Sequence, residues 1–165
     1  MEKQGKCSTS SQRRNRKRKP QEPSIPKYDS DSIFAILVAA LSNLKKQPES
    51  LKPIVNKCLD ELRLSLSLSL INPNPILSLL PTLLRSKYAG IASRGAEIVG
   101  AVSLLSLEMN QEIASDGETV KGLVSALAST KKRVSMAACN AVLDLGTTCF
   151  GREQLLHFCA LEALM

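Results

Sequence analysis

The sequence predicts an all-α chain: a solenoid of stacked helical repeats behind a basic tail with little to bury. Three observations predict it. Aliphatic residues recur at i, i+3, i+4 and i+7 in one stretch after another from residue 33 onward, the spacing of one helix face. The helical stretches come in pairs joined by turns so short that neither partner can bury its face alone, which is the condition for stacking. The pattern of residues 117–124 returns 41 positions later, within the period of helical repeats.

Residues 1–28 form the tail. They are rich in Lys, Arg, Gln, Ser and Pro and are expected to be disordered. Residues 1–27 carry nine basic and two acidic side chains, which accounts for the whole net charge of +7 and leaves the remainder neutral. Arg13, Arg14, Arg16, Lys17, Arg18 and Lys19 make a compact cluster before Pro20. It fits a nuclear localisation signal read by an importin, or a polyanion-binding arm without sequence preference. A purely solubilising tail is the third reading.

Residues 29–71 are expected to form an N-terminal helical cap. Asp29, Ser30 and Asp31 suit a helix start. Ile33, Phe34, Ile36, Leu37, Ala40, Leu41 and Leu44 give that helix its apolar side, and Pro48 is expected to end it. A second helix from about residue 50 carries Ile54, Val55, Cys58, Leu59, Leu62 and Leu66. Residues 62–70 alternate leucine with polar residues, which is a strand signature. Leu59, Leu62, Leu66 and Leu70 also make a helical stripe, and with helices on both sides the run reads as helix.

Residues 72–165 are expected to hold about two repeats, the last incomplete. Asn74 can cap and Pro75 can open a helix to about residue 87, bent at Pro81. The set Ala89, Gly90, Ala92, Ser93, Gly95, Ala96, Gly100 and Ala101 is too rich in small residues for a helix on propensity alone. It predicts helices packed almost backbone to backbone. Val120, Leu123, Val124 and Leu127 mark the next clear helix, and a polar break follows at residues 129–133. Val134, Ala138, Ala141, Val142 and Leu145 mark its partner, where Ala137, Ala138 and Ala141 again allow close approach. Residues 96–107 mirror residues 134–145 at an offset of 38. At the far end, Leu161, Leu164 and Met165 answer to Val120, Leu123 and Val124. That last run stops mid-helix, so the chain is expected to be a fragment of a longer array.

Leu105-Ser-Leu-Glu-Met-Asn-Gln-Glu-Ile-Ala-Ser-Asp-Gly117, followed by Val120-Lys-Gly-Leu-Val124, resembles the armadillo repeat. In that repeat a helix ending Leu-x-Asn-Leu leads into a short Asn-containing helix, a Gly turn and then Ile/Val-x-x-Leu-Val. The nearest likeness is to the armadillo array of plant U-box ubiquitin ligases and their relatives without a U-box. It covers about residues 90–165 and implies a right-handed α-solenoid of armadillo-type repeats. Two departures stand out. Ser106 and Asp144 occupy the place of the Asn before the last Leu, and the chain contains no Trp. The Trp/Asn ladder with which importin-α-type repeats hold basic peptides is therefore missing.

Composition and motifs point away from catalysis. Aromatics make up only 3% of the chain, so the core is expected to be aliphatic and stacking platforms for single-stranded nucleic acid are few. No uncharged apolar run is long enough to span a membrane, and the N-terminus lacks an apolar signal core. The five cysteines form no CxxC pair, which suits reduced thiols in nucleus or cytoplasm. His157 is the single histidine, leaving no partner for a zinc site or a Ser/His pair. It is expected to be semi-buried, and Cys139, Cys149 and Cys159 to be buried and inert. Asp60-Glu61 and Asp116 with Glu118 are carboxylate pairs expected on a helix surface and at a turn. No cofactor, metal or small-molecule substrate is expected.

The expected function is that of a non-catalytic scaffold holding another protein. The resemblance implies that the third helix of each repeat lines the concave groove. That places Arg133, Ser135, Met136, Asn140 and Asp144 in one repeat and Glu97, Ser103 and Ser106 in the one before it. One alternative is the substrate-recognition part of a ubiquitin ligase system lacking its own U-box. Another is a nucleic-acid-associated nuclear protein using the tail.

Overall fold

The computed structural model describes residues 30–158, and the described residues are helical throughout, without strands. The basic cluster of residues 13–19, the cap candidate Asp29 and the run 159–165 lie outside them. The core is aliphatic, with Phe34 the one buried ring among the described residues.

Helix α1 (Ser30–Asn43) buries Ile33, Phe34, Leu37 and Ala40, with Leu44 just beyond its end. It stops four residues short of Pro48, where the amide of Asn43 turns back to the Ala39 carbonyl. Pro48 does not end α1 but opens α2 (Pro48–Ser67). At a first helical position the missing N–H costs nothing, because that donor has no intrahelical acceptor in any case.

The leucine-serine run is helical. Leu59, Leu62 and Leu66 are fully buried while Leu64 and Leu68 are exposed, a period near 3.6 and not 2. Leu70, expected to continue the stripe, is instead 70% exposed. The chain leaves the helix before reaching it, since Ser69 takes a left-handed φ of 53°. Ser69 N–H donates to the Leu66 carbonyl and Leu70 N–H to the Ser65 carbonyl, both at 2.9 Å. This is the paired closure that satisfies the last carbonyls of a helix.

The helix expected over residues 75–87 is two helices, α3 (Asn74–Leu77) and α4 (Leu80–Leu84). Pro81 breaks it outright, because its ring lacks an N–H for the Leu77 carbonyl and collides with it. Asn72, not Asn74, makes the polar turn at the entry, its side chain accepting from Asn74 N–H at 3.0 Å.

Helix α5 (Ala89–Ser103) follows, then α6 (Leu107–Ser115), α7 (Gly117–Leu127), α8 (Lys132–Leu145) and α9 (Cys149–His157). Residues 96–107 are therefore not one helix, and the offset of 38 is corrected. Helices α5 and α8 start 43 positions apart. The caps Ser106 and Thr148, 42 apart, each accept from the backbone N–H three residues on.

The packing repeats with the sequence. Helix α5 packs against α2 and α8, α4 against α7, and α6 against α9. Small residues set the spacing. A Cβ on Gly95 would lie 2.8 Å from Leu83 Cβ, and one on Gly100 would lie 3.4 Å from Ala141 Cα and foul the Asp144 carboxylate. A side chain at Gly95 would have to part α4 from α5, while one at Gly100 would displace the Asp144 carboxylate.

Candidate functional site

Helices α2, α5 and α8 run side by side in one direction. Along α2 and α5, Asp60 meets Arg94 and, one turn further, Arg63 meets Glu97. Along α5 and α8, Ala89 and Ala92 stand beside Val134 near their starts, and Gly100 beside Ala141 further on. Between the three lies a cleft of about 260 Å³. Its floor is Ala96, Gly100, Ala101, Ala137 and Ala141, and its polar wall is Arg63, Ser67, Glu97, Asn140 and Asp144.

The small floor is what makes the cleft. Ala and Gly at these positions draw the helices together and leave the carboxylates and the Asn140 amide standing above an almost flat surface. Arg94 forks onto Asp60 through Nε (2.7 Å) and Nη2 (2.9 Å) while Nη1 donates to the Gly90 carbonyl at 3.0 Å. The Arg94 hydrogen bonds hold the Asp60 carboxyl below its ordinary range, with burial opposing them. The same bonds raise the Arg94 guanidinium. Arg63 reaches Glu97 at 3.1 Å, so two ion pairs of reversed order pin α2 to α5.

Of the expected groove residues, Glu97, Asn140 and Asp144 come together in this cleft, Glu97 already paired to Arg63. Arg133 is exposed at the start of α8, close enough for its charge to be felt by Asp60. Met136 is 56% exposed but stands outside the cleft, as does half-buried Ser135. Two placements are corrected. Ser103 is buried, its hydroxyl donating to the Gly100 carbonyl at 2.8 Å within α5, and cannot meet a partner. Ser106 lies on no third helix, because α5 has ended and its hydroxyl oxygen caps α6 by accepting from Met109 N–H at 3.1 Å.

Arg63 and Ser67 were missed because residues 29–71 read as a cap and not as a wall of the groove. A signal was present: Asp60/Arg63 and Arg94/Glu97 are two i, i+3 pairs of opposite order, 34 positions apart.

No family model, curated protein or solved structure matches this chain. What the site can do must come from its own chemistry. No group of three or more His, Cys, Asp or Glu among the described residues could hold a metal ion. His157 is exposed rather than semi-buried, its ring standing edge-on to Phe158 at 5.1 Å between centroids. Cys149 is exposed rather than buried, because it opens α9 and its sulfur faces outward to accept from Arg152 Nη2 at 3.1 Å. Cys139 is half-buried, and Cys159 lies outside the described residues. Asp116 caps α7 and Glu118 pairs with Arg85, so both carboxylates serve the fold. No described helix is long and apolar enough to cross a membrane. The cleft offers donors, acceptors and a shallow floor along its length, which suits an extended chain better than a small molecule.

Proposed function

We propose that the protein is a non-catalytic scaffold, an armadillo-type α-solenoid that holds a partner polypeptide along the groove of α2, α5 and α8. The observation that carries this reading is the polar wall of Arg63, Glu97, Asn140 and Asp144 above a floor of Ala and Gly. Asn140 is exposed and both donates and accepts, as needed to grip a peptide backbone. The repeat of 42 to 43 positions, the stacking of α4 on α7 and α6 on α9, and the parallel third helices support the solenoid reading. The basic cluster of residues 13–19 is proposed as a separate import signal.

A photo-crosslinking residue at Asn140 tests the groove, with one at exposed Glu108 of α6 as reference. Position 140 should capture a defined polypeptide that position 108 does not, and Asp144→Arg should abolish that capture. Identical capture at both positions, or capture lost when residues 13–19 are neutralised, would sink the reading.

A further inference from the structure

The two edges of the helical stack differ in charge. At one edge stand the α1–α2, α4–α5 and α7–α8 turns, where α2, α5 and α8 begin. These turns and the first residues of α8 hold Lys45, Lys46, Arg85, Lys87, Lys131, Lys132 and Arg133, all exposed, against one carboxylate, Glu49, in the first turn of α2. At the other edge the turns of residues 68–73, 104–106 and 146–148 carry no charge at all. Seven of the thirteen described cations thus gather on one edge, while Lys52, Lys57, Arg63, Arg94 and Lys121 lie along the helices and Arg152 donates to the Gly146 and Thr147 carbonyls of the other.

Side-chain contacts join the turns into a row. Lys131 Nζ donates to the Lys87 carbonyl at 3.2 Å, and the Lys52 and Lys87 ammoniums lie 5.2 and 5.1 Å from the centre of the Tyr88 ring. Glu118 answers Arg85 and Glu49 answers Lys52. Lys45, Lys46, Lys87, Lys131 and Lys132 have no carboxylate within ion-pair distance among the described residues. None of α2, α5 and α8 has a side-chain cap, so their first-turn N–H groups add positive potential to the same edge.

Between the α4–α5 and α7–α8 turns the edge is cut by a cleft of about 200 Å³ with an aliphatic floor. Arg85, Lys87 and Lys131 rim it with Ser86 and Ser129. Those two hydroxyl oxygens accept the N–H groups of Tyr88 and Lys131, each at 3.3 Å, which leaves both O–H protons to donate. Lys87 and Lys131, which face no carboxylate, stand around one cleft with two hydroxyl donors and with Arg85, already paired to Glu118, a set that suits a dianion with three acceptor oxygens better than a carboxylate.

We propose that this edge docks an acidic, phosphorylated segment of a polypeptide, with a phosphate monoester seated in the cleft between the α4–α5 and α7–α8 turns. A polypeptide is favoured over nucleic acid because the row offers no free stacking platform, Tyr88 being half-buried beneath two lysines. Helix layers spaced roughly 8–10 Å apart also match about three residues of an extended peptide. The surface is distinct from the groove, and the proposal stands without it.

The test uses the full chain with glutamine at Arg13, Arg14, Arg16, Lys17, Arg18 and Lys19, so that the tail does not bind the probe. Fluorescence anisotropy follows a labelled glutamate-glycine peptide with one central phosphoserine, the same peptide with serine, and oligouridine RNA. The phosphopeptide should bind at least about tenfold tighter than the serine form, and Lys87→Glu with Lys131→Glu should remove that difference. Lys57→Glu on the body of α2 and Asn140→Arg in the groove should change nothing. Equal binding of the two peptides, indifference to the edge reversal, or loss on Asn140→Arg would overturn the proposal. So would tighter binding of the RNA through the same lysines.

Discussion

The side-chain amide of Asn110 donates to the Leu145 carbonyl at 3.1 Å, tying α6 to the end of α8 across 35 positions of chain. The same nitrogen reaches the Ser103 carbonyl at 3.4 Å, and the Thr148 hydroxyl donates to its oxygen at 2.6 Å. One buried amide therefore closes the ends of α5 and α8 and the start of α9. Asn110→Ala should cost about 2–4 kcal/mol in denaturant unfolding, since it strands buried carbonyls as well as losing the bonds themselves. A double-mutant cycle with Thr148→Val should show coupling of about 1 kcal/mol. A loss below about 0.5 kcal/mol for Asn110→Ala would mean that the amide holds nothing together.

Ser69 is the one non-glycine residue with positive φ among those described. Ser69→Gly relieves the side-chain clash of that conformation but frees the unfolded chain, so a net gain of roughly 0.5–1 kcal/mol is expected. Ser69→Val should destabilise, because a β-branched side chain tolerates the conformation least. Thermal melts showing the reverse order would contradict the left-handed closure of α2.

Two glycines of α5 should respond in opposite ways to alanine. At Gly95 the added carbon collides with the Leu83 Cβ and backbone of α4, and about 1–3 kcal/mol should be lost. At Gly90 the nearest atoms belong to the Asn56 and Arg94 side chains at 3.4–3.5 Å, which is ordinary contact. Gly90→Ala should be neutral or stabilising by up to about 1 kcal/mol, through helix propensity. Equal effects at the two sites in urea titrations would contradict the close approach of α4 and α5.

The Asp60–Arg94 pair gives a dependence on pH with a definite sign. The folded carboxyl titrates lower than in the unfolded chain, so its contribution is complete above the unfolded value near 4. It fades as pH falls through the folded value. Because the Asp60 side chain is 46% exposed, the contribution is about 1 kcal/mol or less. The stability gap between the parent and Asp60→Asn should be largest at neutral pH and close on acidification below pH ~4. A gap that widens in acid would reverse the assignment.

Helices were legible wherever an aliphatic stripe repeated, as in α1, α2, α7 and α8, because burial of that stripe outweighs local propensity. The Leu62–Leu66 region shows the limit of this: its alternation imitates a strand, and only the neighbouring Leu59 and Val55 disclose the helical face. The break at Pro81 was read as a bend because Leu77, Leu80, Leu83 and Leu84 keep helical spacing on both sides of it. Ser103 and Ser106 were misplaced by the offset of 38, which the stacking of α5 on α8 replaces with 43. The ion pairs between α2 and α5 depend on two helices distant in sequence meeting in register, and the basic edge on which way three turns face. Neither is written in any one window of sequence.

Among the described residues Phe34 is the one ring buried in the core, and the chain carries no tryptophan and two tyrosines. The protein consequently gives no indole emission, and excitation beyond tyrosine absorption finds nothing to excite. A single indole placed beside any chosen helix, excited beyond tyrosine absorption, would report on that helix's surroundings alone.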